Sequence, residues 1–273
     1  MAHLEPKQAE RCLLMQLWGL DTPITALCWA VACAALMQIT MITAAPMLLV
    51  AAGVWCAVIV VRLRDAWASP TAWQAGFYRR NMALLLVLLL SVGMAALWIL
   101  LFQVGRSILG YLPFPVCFYY TGLLCRSAHL KQLRLLLHAL AFAMVCTLPA
   151  FYFSFSLSPL DIFTTGPVWY MGILFYLMAR ERERLRNNSQ DAAEAVVNTV
   201  GLIMLLVVCL LSSVTAPMFE RTLCITLAIG AGCLQGFTRI SSQLSQNQAL
   251  ALSWLSMALP AVLGTIIYAP HGW

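Results

Sequence analysis

Two carboxylates set among arginines are the residues of this chain best suited to chemistry. Asp65 ends the stretch Val61-Arg62-Leu63-Arg64-Asp65, which is followed by Phe77-Tyr78-Arg79-Arg80, and Glu181 lies within Arg180-Glu181-Arg182-Glu183-Arg184. On a helix, Asp65 stands one turn beyond Val61 and two beyond Ala57, and Glu181 has the matching place between Leu177 and Leu185. Carboxylates on facing helices can share a divalent cation such as Mg²⁺, and cation and guanidiniums together can hold a diphosphate. The candidate set is Asp65 and Glu181 for the metal, with Arg62, Arg64, Arg79, Arg80, Arg180 and Arg184 for the diphosphate. The plainer alternative is a solvated charged helix end, with ion pairs worth a few tenths of a kcal/mol each.

The elements that must position these groups are membrane spans. Nine apolar runs stand out, at about 23–42, 45–61, 82–104, 107–124, 135–155, 163–179, 196–216, 220–237 and 249–268. With the N-terminus inside, fourteen of the sixteen basic residues fall on the inner side. They are Lys7 and Arg11; Arg62, Arg64, Arg79 and Arg80; Arg126, Lys131 and Arg134; Arg180, Arg182, Arg184 and Arg186; and Arg239. Only Arg106 and Arg221 fall outside. Inner loops retain Lys and Arg because these residues resist translocation, so the split supports both the span count and an N-in, C-out orientation. The reading is an all-α, nine-span integral membrane protein with its N-terminus in the cytoplasm and its C-terminus outside. It forms one transmembrane domain over 1–273, with two related four-helix halves (23–124 and 135–237) and a ninth helix.

Composition agrees. Of 273 residues, 62% are hydrophobic and 10% charged, far from the quarter charged of soluble domains. Nine spans of about 20 residues leave no room for a separate soluble domain. The formal charge of +6 matches basic loops facing an anionic inner leaflet rather than a nucleic-acid surface. The ten cysteines form no C-x-x-C pair and read as small apolar packing groups. Asp21-Thr22-Pro23 reads as a helix start, with a capping side chain and then a proline where no amide donor is needed. Gly232-x-x-x-Gly236 reads as a site of close helix approach. Residues 126–138, with Arg126, His129, Lys131, Arg134 and His138, read as a basic amphipathic lead into the fifth span.

Nine spans with polar inner loops after the second and sixth resemble the UbiA superfamily of intramembrane prenyltransferases. Leu20-Asp21-Thr22-Pro23 resembles the start of that family's first helix. Val61-Arg62-Leu63-Arg64-Asp65 with Phe77-Tyr78-Arg79-Arg80 resembles a divergent form of its first aspartate-rich motif, and Ala179-Arg180-Glu181-Arg182-Glu183 its second. The resemblance implies a prenyl diphosphate held with Mg²⁺ at the cytoplasmic mouth of an apolar chamber, the tail inside, and transfer to an aromatic or lipid acceptor. The family's ligand pattern falls on Ala57, Val61 and Asp65, and on Leu177, Glu181 and Leu185, so one ligand survives in each motif. That loss keeps a second expectation open, a non-catalytic isoprenoid- or lipid-binding protein. A small-solute transporter is the weakest reading, because the spans hold few ionisable groups, Asp161 being one near an outer end.

Overall fold

A computed structural model describes residues 17–36, 44–68, 75–104, 111–125, 127, 130–153, 166–186, 192–216, 218–241, 243–244 and 246–268. Lys7, Arg11, Arg106, Arg126, His129 and Asp161 lie outside them. The described residues are almost all helical, without strands. In chain order the helices are α1 (Asp21–Leu36), α2 (Ala44–Ala68), α3 (Ala75–Arg80), α4 (Met82–Trp98, continued by a π-helix over Ile99–Val104), α5 (Pro113–Leu124) and α6 (Lys131–Phe153). They continue with α7 (Gly166–Arg186), α8 (Ala192–Thr215), α9 (Met218–Ser241), α10 (Gln246–Leu252) and α11 (Leu255–Tyr268). Three prolines mark helix starts, Pro23 and Pro46 in the first turns of α1 and α2 and Pro113 at the first position of α5, while Pro149 and Pro260 lie inside α6 and α11.

Each of the nine apolar runs carries helix, and six helical segments are long and apolar enough to cross a bilayer: Ala44–Trp67, Met82–Gln103, Lys131–Ala150, Ala195–Thr215, Glu220–Ser241 and Gln248–Ile267. The chain is therefore a helical integral membrane protein. Three runs fall short of a full crossing among the described residues. α1 has 16 residues and α5 has 12, against about 20 for a 30 Å hydrocarbon core. α7 has 21 residues, but its last third is the charged stretch.

Packing follows the surfaces. α1 packs on α2, α6 and α11, while α7 packs on α6, α8 and α9, and α9 closes the ring against α11. Around this ring the core holds Trp29, Met171, Leu174, Leu227 and Leu234. α1 fits because its buried positions are small (Ala26, Ala30, Cys33, Ala34), which lets backbones approach. Its one large buried ring, Trp29, donates its indole N–H to the Met257 carbonyl at 2.9 Å. α4 leans on α2 and leaves Leu84, Val87, Leu90, Met94 and Leu97 exposed, a surface fit for lipid tails rather than water.

The close approaches are made by glycines other than the expected pair. A Cβ on Gly232 or Gly236 would meet nothing within 4 Å, whereas one on Gly264 would lie 2.6 Å from Thr226 and one on Gly230 2.8 Å from Leu174. The expectation for Gly232-x-x-x-Gly236 is thus corrected: its face points away from neighbouring helices. Gly264→Val should cost about 1–3 kcal/mol by overpacking against a rigid β-branched neighbour, while Gly232→Val should leave thermal unfolding in detergent nearly unchanged.

Candidate functional site

A cavity of about 590 Å³ opens between α1, α2, α5, α6 and α7, with Trp254 and Met257 contributing from the ninth run. Its longest wall is one face of α2: Leu49, Val50, Gly53, Val54, Ala57, Val58, Val61 and then Arg62. The spacing of three and four keeps these residues on one side of the helix. The α7 wall is built alike, from Phe175, Met178, Ala179 and Arg182. Both apolar stripes therefore end in an arginine, and the two arginines meet at the charged end of the chamber.

They meet through a third residue. Asp21, at the start of α1, has a fully shielded side chain and binds Arg62 through Oδ1 at 3.2 Å and Arg182 through Oδ2 at 2.6 Å. Arg62 also donates to the Tyr78 hydroxyl at 3.1 Å, and that hydroxyl donates to the Leu17 carbonyl at 2.5 Å. Burial pushes the Tyr78 phenol up, so it stays protonated and able to donate. For Asp21, burial also pushes upward, but Arg182 and then Arg62 outweigh it and hold the carboxyl below its ordinary range. The result is a charged triad spanning α1, α2 and α7, with both guanidiniums lining the cavity. Among the described residues Arg182 gives the protein one donor, that to Asp21, which leaves its remaining N–H groups for another acceptor.

The other expected site residues are dispersed. Asp65 is 53% exposed and pairs with its neighbour Arg64 at 3.0 Å. Arg79 donates to the Ala66 carbonyl at 3.1 Å. Arg80 is exposed, and Arg180 lies over the Tyr176 ring, 5.8 Å from its centroid. Glu181 is buried, but it accepts two bonds from Arg184, at 3.0 and 2.6 Å, and one from Asn198 at 3.2 Å. Of the six arginines expected to hold a diphosphate, Arg62 is the one that lines the cavity, and neither Asp65 nor Glu181 does. Asp21 and Glu181 face guanidiniums through both carboxylate oxygens and Asp65 through one, and none of the three lines the cavity. The cavity end suits an anion.

Sequence reasoning read Asp21 as a helix cap and left Arg182 out of the anion-binding set. A signal for Arg182 was present: it lies four residues past Met178 and seven past Phe175, on the apolar face of α7, whereas Glu181 is rotated off that face. Nothing of the kind marked Asp21, whose role depends on contacts 41 and 161 residues away. His138, taken as part of a basic segment, lines the cavity beside Tyr119, with ring centroids 5.1 Å apart. No family model, curated protein or solved structure matches this chain.

Proposed function

We propose that this protein is a UbiA-like intramembrane prenyltransferase-type protein that binds an isoprenoid diphosphate. The diphosphate would lie at the Arg62–Arg182 end of the cavity and the tail along the α2 face. The observation that supports this is the pairing of one apolar chamber with two arginines at its end, a shape for a lipid carrying an anionic head. On this reading the charged end faces the cytoplasm of a bacterial cell, and the allylic group passes to an aromatic or lipid acceptor. The chamber would contribute by excluding water from the reacting carbon, and the guanidiniums by stabilising the departing diphosphate.

One observation favours a second reading, a non-catalytic isoprenoid-binding protein: no carboxylate lines the cavity among the described residues. Purified protein given labelled prenyl diphosphates and a panel of acceptors separates the two. Product formation supports transfer. Saturable, tail-dependent binding without product at any Mg²⁺ concentration supports the second reading, and absence of binding removes both. Binding should persist in EDTA, since arginines hold the head; loss of affinity in EDTA would return the metal role to Asp65 and Glu181.

Gly53 offers a direct test of where the tail lies. It forms part of the cavity wall, and a Cβ there would meet nothing within 4 Å. Gly53→Leu should leave the melting temperature unchanged or raised, because it fills open space and improves a helix position. It should weaken binding of long-tailed ligands about tenfold, the effect of a displaced isoprenoid segment, and spare short ones. Equal weakening across a series of tail lengths would move the tail elsewhere.

A further inference from the structure

The ninth apolar run, expected as one continuous helix, is broken. α10 ends at Leu252 and α11 begins at Leu255, with Ser253 and Trp254 in a turn between them. Two serine hydroxyls help satisfy the interrupted backbone: Ser253 donates to the Leu250 carbonyl and Ser256 to the Ser253 carbonyl, each at 2.8 Å. Non-helical backbone at membrane depth survives where it is buried in protein or lines a cavity, and this turn places Trp254 on the cavity wall. The Trp254 indole nitrogen is buried and has no hydrogen-bond partner among the described residues. An indole N–H can only donate, and buried tryptophans ordinarily find an acceptor.

Its level in the chamber follows from its neighbours. Ser256 Oγ lies 3.9 Å from Met178 Sδ, and Met178 is one turn before Arg182 on α7. Trp254 precedes Ser256 by two residues, on the charged-end side of that contact, and it lines the same cavity as Arg182 and Arg62. Trp254 is also the only tryptophan lining the cavity among the described residues.

We infer that Trp254 is a ligand-contacting residue whose indole N–H donates to an oxygen of the anionic headgroup, a third donor beside Arg62 and Arg182. This rests on the proposed function only in taking the cavity as a site for an anionic lipid. Its chemistry asks for an oxyanion acceptor and is indifferent to whether the tail is isoprenoid.

The test compares three ligands: a prenyl diphosphate, the prenyl alcohol of the same tail, and a saturated alkyl phosphate. Trp254→Phe keeps the ring surface and removes the N–H. It should lose about tenfold in affinity for both anionic ligands, the loss of one hydrogen bond to a charged acceptor, and keep its affinity for the alcohol. Trp254→His, which retains a ring N–H, should recover part of the loss. The wild-type protein provides its own readout: with ¹⁵N-labelled indoles, one Trp N–H resonance should move downfield on adding either anion and stay in place with the alcohol. Alkyl phosphate binding that depends on Trp254, without prenyl diphosphate binding, removes the isoprenoid reading and leaves the indole assignment standing. Anion binding equal in wild type and Trp254→Phe, an unmoved resonance, or no anion binding at all overturns the assignment.

Discussion

Asp21→Ala should be the most damaging single substitution of a charged residue in this protein, lowering the unfolding free energy by about 3 kcal/mol. Asp21 is fully shielded and joins α1 to Arg62 on α2 and to Arg182 on α7. Its removal takes away the carboxylate that both guanidiniums share, the costly way to break a buried ion pair. The value belongs at the low end of the range because Arg62 and Arg182 keep 18% and 31% of their side-chain surface, so water recovers part of the loss. In detergent the melting temperature should fall by on the order of 10 °C. Asp65→Ala is the control. That carboxylate is exposed and pairs with an adjacent arginine, so its loss should cost less than about 0.5 kcal/mol. Equal damage from the two substitutions would deny the triad its structural role.

The same carboxylate sets a pH dependence. Asp21 has its pKa lowered by Arg182 and Arg62 against the opposing effect of burial. A depressed carboxylate contributes stability that is fully present above its unfolded value near 3.8 and is lost as pH falls through the folded value. Wild type should therefore lose stability below about pH 4, and Asp21→Asn should lose less over the same window.

Much of this fold was legible because the bilayer imposes a strong rule: unbroken apolar runs must become helix. Nine runs all carry helix, including the short α5 and the charged-tailed α7. The site was harder to read, because its members are joined by side-chain reach rather than by spacing. Asp65 and Glu181 drew attention by density of charge, yet dense charge on a helix end is satisfied locally: Arg64 takes Asp65, and Arg184 takes Glu181. Asp21 stood alone in an apolar context, where the nearest opposite charges lay on other helices. Its isolation is visible in the sequence, but the arginines that answer it lie 41 and 161 residues away and no spacing points to them. The break at Ser253–Trp254 left no comparable trace, because neither residue is a helix breaker and the run around them stays apolar.

Arg182→Ala and Arg62→Ala should each weaken binding of a prenyl diphosphate by on the order of ten- to a hundredfold, the range for losing hydrogen bonds to a charged acceptor. Arg64→Ala and Arg80→Ala should change it less than about twofold, since exposed charges beyond the cavity act only through screened attraction. Arg182→Lys discriminates further. A lysine can still reach Asp21 as a point charge, but it lacks the planar fork whose spare N–H groups would take a phosphate oxygen. It should therefore preserve most of the thermal stability while losing most of the affinity. The double variant completes the argument, because both arginines share the Asp21 carboxylate. Arg62→Ala with Arg182→Ala should lose less affinity than the two single losses combined, a coupling of at least about 0.5 kcal/mol. Fully additive losses would mean that the arginines bind the head independently, with Asp21 serving stability alone. Wild-type affinity in both single variants would remove the headgroup from this end of the cavity.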